Sequence, residues 1–179
     1  MAMEHKAFAF DYTTFVTDLS DRLYHALEAE APELLEEYIR ANEADLKDPY
    51  SGDPLPPDWD ALLEQRDVQE YGDIALTRFY DPTEDIGLST TWQHLDDLLR
   101  QEFGGQPSPI LGIPFGPTHN LFDPGRMGTY FQSPTLVRTN LDQLESLLKQ
   151  KLSLSLQLGD AVEMLRQPIA TGQGLFVTF

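Results

Sequence analysis

Proline sets the tightest limit on how this chain can fold. Nine of its thirteen prolines lie in two stretches, "KDPYSGDPLPPD" at 47–58 and the region 107–124. Proline has no amide hydrogen and fixes its own φ, so neither stretch can form a helix or a central strand. The first reads as a connector. Its Pro54 and Pro57 have PxxP spacing, but no basic residue flanks them to anchor an SH3-type groove. The second runs into "ILGIPFGPTHNLFDPGRMGTYF", which mixes Gly112, Gly116, Gly125 and Gly128 with His119, Asp123 and Arg126. No other stretch has residue types that look as much like a site.

Between these tracts the apolar residues recur with helical period. Phe15, Leu19, Leu23, Leu27 and Ala31, with Val16 and Tyr24 beside them, predict an amphipathic helix from Thr14, capped by Asp11, Thr13 or Thr14 and broken at Pro32. Leu34, Leu35, Tyr38, Ile39 and Leu46 predict a second helix. Asp58 would cap a short helix with Trp59, Leu62 and Leu63 inward. "IALTRFY" at 74–80 alternates like a strand. Ser89 or Thr90 would cap a helix bearing Trp92, Leu95, Leu98, Leu99 and Phe103, stopped by Gly104 and Gly105. "TYFQSPTLV" reads as extended chain interrupted at Pro134, and Asn140 as the cap of a leucine-rich helix. "LSLSLQL" at 152–158 fits a half-buried strand or a helical continuation. Asp160 would cap a last short helix limited by Pro168, and "GLFVTF" reads as a strand. The expected fold is a single α+β domain over 1–179, with amphipathic helices packed on a small mixed or antiparallel sheet, an acidic helical part at 1–70 and a loop at 47–58.

Charge is unevenly spread. Residues 1–100 carry 24 of the 30 acidic side chains and 7 of the 12 basic ones, so nearly all of the net charge of −18 lies there. Such a field repels nucleic acid and anionic membranes and steers basic proteins inward. The outer face of the second helix, with Glu33, Glu36, Glu37, Glu43 and Asp45, is the candidate partner-binding surface. The chain has no cysteine, which excludes disulfides, thiolate metal sites and thiol nucleophiles. The apolar run in "MAMEHKAFAFDY" is too short for a signal peptide or a membrane span, so the expected location is the cytoplasm.

Catalytic and cofactor signatures are sparse. The four histidines form no HxH or HExxH pattern, and "DPTEDIGLSTTW" puts Ile86 and Trp92 where a calcium loop needs glycine and glutamate, so no metal is expected. The prolines around the 110–131 glycines remove the amide donors that a phosphate cradle needs, so no nucleotide cofactor is expected. One catalytic arrangement stays open: His119 as base, Asp123 orienting it and Arg126 holding an anion, with Tyr130 nearby, in a small hydrolase or ligand-binding domain. "DPGR" at 123–126 is equally a turn signature.

"LSTTWQHLDDLL", then "ILGIPFG", then "YFQSPTLV" and a leucine-rich helix, over about residues 88–148, resembles part of the YfbM-like family of small, uncharacterised bacterial proteins. The resemblance implies an α+β fold and makes the 110–131 stretch a framework connection between two helices. It brings no catalytic residue. The segregation of acidic charge to the first half makes the leading expectation a non-enzymatic interaction module, an inhibitor or immunity-type partner of a basic protein.

Overall fold

The computed structural model describes residues 2–64, 66–104 and 107–179. Its elements are β1 (Lys6–Phe10), α1 (Tyr12–Asp18), α2 (Ser20–Ala29), α3 (Glu33–Asn42), α4 (Val68–Leu76), α5 (Trp92–Phe103), β2 (Tyr130–Gln132), α6 (Pro134–Gln150), α7 (Ser155–Ala170) and β3 (Gly174–Thr178). Short 3-10 turns occupy Glu43–Asp45, Trp59–Leu62 and Leu152–Leu154. The fold is α+β. Among the described residues no helix is long and apolar enough to cross a membrane.

β3 lies between β1 and β2 in an antiparallel sheet of three strands, with Phe8 opposite Phe176 and Phe131 opposite Phe176 from the other side. Successive side chains of a strand point to opposite faces, so β3 feeds two cores at once. Phe176 joins Phe8, Phe10 and Phe131 under α1 to α4. Its ring lies 5.3 Å from Phe131 and 4.9 Å from Tyr80, in the range where aromatic pairs attract. Leu175 and Val177 join Ala7 under α5, α6 and α7. The sheet is thus a partition with a helical layer on each face.

The predicted helix from Thr14 is two helices joined at one distorted residue, Leu19 (φ −123°), and the Asp11 side chain caps α1 by accepting from the Thr14 amide at 3.2 Å. Glu30, in the left-handed region, and Pro32 end α2 as the sequence suggests. Val16, Tyr24 and Leu34, placed on the apolar stripes by spacing, are exposed. Trp59 is fully buried and Leu63 packs at the core edge, whereas the Leu62 side chain lies outside what is described. Gly104 caps α5 with φ 61°, and Gly105 lies outside the described residues.

Several expectations are corrected. Residues 74–80 are not a strand, because Ile74 and Leu76 close α4 and a turn follows. α4 is buried on most of its surface, so its sequence lacks the one-sided helical stripe and mimics a buried strand. Thr91, not Ser89 or Thr90, precedes α5. α6 begins at Pro134, where a missing amide hydrogen costs nothing, and Ser133 caps it by accepting from the Leu136 amide. Asn140 sits inside that helix, buried, donating to Gln132 Oε1 at 2.8 Å. Residues 152–158 are helical, and α7 runs through Asp160 to Ala170 with Pro168 in its last turns. The apolar run at residues 7–10 is strand β1.

Three buried polar side chains pin the start of the long connection between α5 and β2. Asp96 accepts from the Ser108 hydroxyl, Gln132 donates to the Pro109 carbonyl at 3.0 Å, and His5 Nε2 lies 2.8 Å from the Ile110 carbonyl. The Leu88 amide donates to His5 Nδ1 at 3.2 Å. A carbonyl on one ring nitrogen and an amide on the other require the neutral Nε2–H form. Gly112 then turns back with φ 116°, and a Cβ there would meet the Phe131 carbonyl oxygen at 2.5 Å.

Burial holds the His5 imidazole below its usual range. The unfolded chain therefore takes up a proton near pH 6.5 while the native state resists it, so this contribution to stability is present above that pH and lost as pH falls. Urea unfolding at stepped pH should show a smaller acid loss for His5→Gln than for the native chain. An identical pH dependence would refute the neutral clamp.

Candidate functional site

The acidic half of the chain surrounds a cleft of ≈ 580 Å³, walled by the proline-rich loop at 48–55, the Trp59 turn, α4 and residues 123–126. Among the described residues six acidic side chains line it, Asp48, Glu64, Asp67, Glu70, Asp73 and Asp123, against one basic one, Arg126.

Each wall is fixed locally. In the proline-rich loop, Asp48 Oδ1 accepts from the amides of Tyr50 and Ser51 at 2.8 and 2.9 Å, a side-chain-stabilised turn. That turn holds Tyr50 out at the rim, 85% exposed. Asp67 caps α4 by accepting from the Glu70 amide, and the Glu70 side chain accepts from the Arg66 amide. Gln69 then ties α4 to the long connection. Its Nε2 donates to Asn120 Oδ1 and to the Leu121 carbonyl, and its Oε1 accepts from the Asp123 amide at 2.7 Å. This one side chain sets the distance between two walls.

Asp73 differs from its neighbours. It projects from α4 among Tyr71, Gly72, Ile74 and Ala75, all buried. Protein surrounds its carboxyl on most sides, but the cavity reaches it, which leaves the residue half-buried. Among the described residues it makes no hydrogen bond and no ion pair. Burial, reinforced by Asp48, pushes its carboxyl up to about 7. Burial also pushes the hydroxyl of Tyr80 well above its ordinary range, with Asp73 adding to the effect. Asp73 and Tyr50 also line a second cavity of ≈ 150 Å³, which reaches Phe8, Tyr80 and Phe176 over the sheet.

The candidate catalytic residues are not gathered into one arrangement. His119 is exposed on its loop, with Nε2 3.4 Å from the Glu28 carbonyl at the end of α2. The Asp123 carboxylate accepts from the Gly128 amide at 3.0 and 3.2 Å and from the Thr129 hydroxyl, closing its own turn. Arg126 stands at the cleft mouth in the left-handed region, φ 58°, and Tyr130 pairs with Val177 in the sheet. Asp123 and Arg126 face the cleft, while His119 and Tyr130 do not line it.

The acidic face of α3 is partly neutralised. Arg40 bonds Glu36 at 2.9 Å and reaches Asp60, Arg22 lies 4.0 Å from Glu37, and Arg78 lies 3.9 Å from Asp45. Glu43 accepts from the Trp59 indole at 3.2 Å, and Arg40 lies over that ring. Glu33 is exposed at the start of the helix with no ion pair among the described residues. Through Trp59 this face adjoins the cleft. Among the described residues no group of three or more His, Asp or Glu is placed to hold a metal ion.

Asp73, Tyr50 and Tyr80 are the residues that sequence reasoning passes over. A signal existed for Asp73, as the single charge within the apolar segment "YGDIAL". Compared with known proteins, the chain matches no family model, no curated protein and no solved structure.

A carboxyl raised from 3.8 to about 7 binds its proton more tightly in the native state, so between these values stability falls as pH rises, and above 7 the cost is fully present. Asp73→Asn should therefore stabilise the protein at pH 8 by on the order of 1–3 kcal/mol, allowing for the water that reaches the site. The gain should fade towards pH 4. Denaturant titrations at both pH values measure it, and a destabilised Asp73→Asn at pH 8 would contradict the assignment.

Proposed function

We propose that this protein is a non-catalytic recognition module whose acidic N-terminal half captures a basic partner protein, as an inhibitor or immunity-type partner would. The observation that carries this reading is the cleft lining, six acidic side chains against one basic one among the described residues, next to a helix with further acidic side chains. Surplus like charge destabilises a fold through self-repulsion, and its concentration on one side suits encounter with an oppositely charged surface. Glu33 and Glu37 on α3 and Glu64 at the cleft rim are the outward charges with the least local use. Glu36 and Glu43 instead support Arg40 and Trp59. The separate engagements of His119 and Asp123 weigh against a hydrolase at the 110–131 loop. A cytoplasmic setting agrees with a chain that needs no disulfide chemistry.

The test is capture of immobilised lysine- and arginine-rich peptides by the native protein and by the triple variant Glu33→Lys, Glu37→Lys, Glu64→Lys. Binding by the native protein should weaken at least about tenfold from low to physiological salt. The triple variant should lose most of the low-salt affinity. Retention that neither salt nor charge reversal changes would remove the proposal.

A further inference from the structure

The smaller cavity behind the cleft has a composition that partner capture does not explain. At ≈ 150 Å³ it is too small for a nucleotide or a drug-sized molecule and large enough for a compact head group. Phe8, Tyr50, Tyr80 and Phe176 contribute to its lining, and Asp73 and the backbone-bonded Pro49 turn separate it from the larger cleft. Phe8 and Tyr80, with ring centroids 4.8 Å apart and only a small part of each exposed, form its aromatic floor, and Phe176, 1% exposed, backs them from the core. Lys6 and Asp85 also line the cavity, with opposite charges.

We infer that this pocket binds an alkylammonium group, with Asp73 as the counter-charge and the aromatic rings as the walls. Three observations converge. Aromatic faces attract cations, and the attraction grows when the site excludes water. Asp73 is half-buried and lacks any donor among the described residues, so its carboxylate has no internal partner there and meets the cavity instead. Much of the rest of the lining is apolar, from Phe8, Pro49, Pro82 and Pro124, which suits a bulky, weakly hydrated cation. The turn made by Asp48 keeps Tyr50 at the rim, where its ring can close over the head group. The Asp48, Glu70 and Asp123 side chains already serve backbone amides, so they supply field without competing for direct contact.

The head group can arrive as a free small molecule or as a lysine side chain, amine or methylated, of the basic partner. The pocket itself does not depend on capture by the outer surface. The experiment titrates the native protein with choline and, in parallel, with the N-acetyl methylamide of trimethyl-lysine, following Tyr and Trp resonances by NMR. The control is 3,3-dimethylbutan-1-ol, which matches the shape of choline without its charge. Saturable binding of either cation, about tenfold or more tighter than the control, is expected, and the tighter of the two names the source. Asp73→Asn should weaken that binding about tenfold, a loss of the order of one desolvated ion contact. Tyr50→Ala, at an exposed position, should weaken it without touching the core. Equal binding of the neutral control, undiminished binding by Asp73→Asn, or no saturation by either cation would overturn the assignment. The double variant Glu33→Lys, Glu37→Lys, altered only on α3 outside either cavity lining, should bind choline like the native protein while losing part of the peptide capture, so failure of surface capture and failure of this pocket are separable.

Discussion

Both layers of the molecule depend on the alternation of side chains along Gly174–Thr178. Phe176 on one face and Leu175 and Val177 on the other supply contacts to two cores that otherwise share no side chain of this strand. The two helical layers are joined through the partition, which α6 and α7 contact directly on one face and the aromatic core under α1 to α4 contacts on the other. One strand holding two layers means that the cleft on the α4 side inherits its rigidity from aromatic rings rooted in the sheet, with Phe8 and Phe176 forming both core and cavity wall.

The site is maintained against a cost. Asp73 occupies a position in α4 where an apolar residue would pack, and among the described residues no donor compensates its charge. Features that lower stability and are not relieved internally tend to persist where function uses them. The neighbouring polar groups show the opposite economy. Asp48, Asp67, Gln69 and Asp123 each satisfy backbone groups, and together they fix the loops around Asp73. The contrast between four engaged side chains and one with no partner among the described residues sets Asp73 apart more sharply than the count of acidic residues does.

Much of the fold was legible from residue patterns. The stripes of α2, α3, α5 and α6 follow from one-sided burial, the Pro32 and Gly104 boundaries from backbone sterics, and β3 from a short continuous apolar run. α4 is surrounded by core, so its period is hidden and residues 74–80 read as a strand. The alternating leucines of 152–158 left strand and helix open, because Leu152 and Leu156 stand exposed and give no one-sided stripe to decide between them. At the site, the sequence pointed to His119, Asp123 and Arg126 because they crowd one loop. The structure shows that proximity along the chain is spent on shaping that loop, while Asp73, Tyr50 and Tyr80 meet only through tertiary packing. No local spacing rule connects residues 50, 73, 80 and 176.

The central position of β3 has a kinetic consequence. β1 at residues 6–10 and β2 at 130–132 do not pair with each other, and both wait for a strand that is not made until residue 178. During synthesis the N-terminal helices can form their own contacts, and Phe15, Phe79 and Tyr80 can cover part of Phe10, but Phe8 and Phe131 meet their shared cross-strand partner only once Phe176 has been made. Until then the strongly acidic first half supplies the repulsion that keeps neighbouring chains apart.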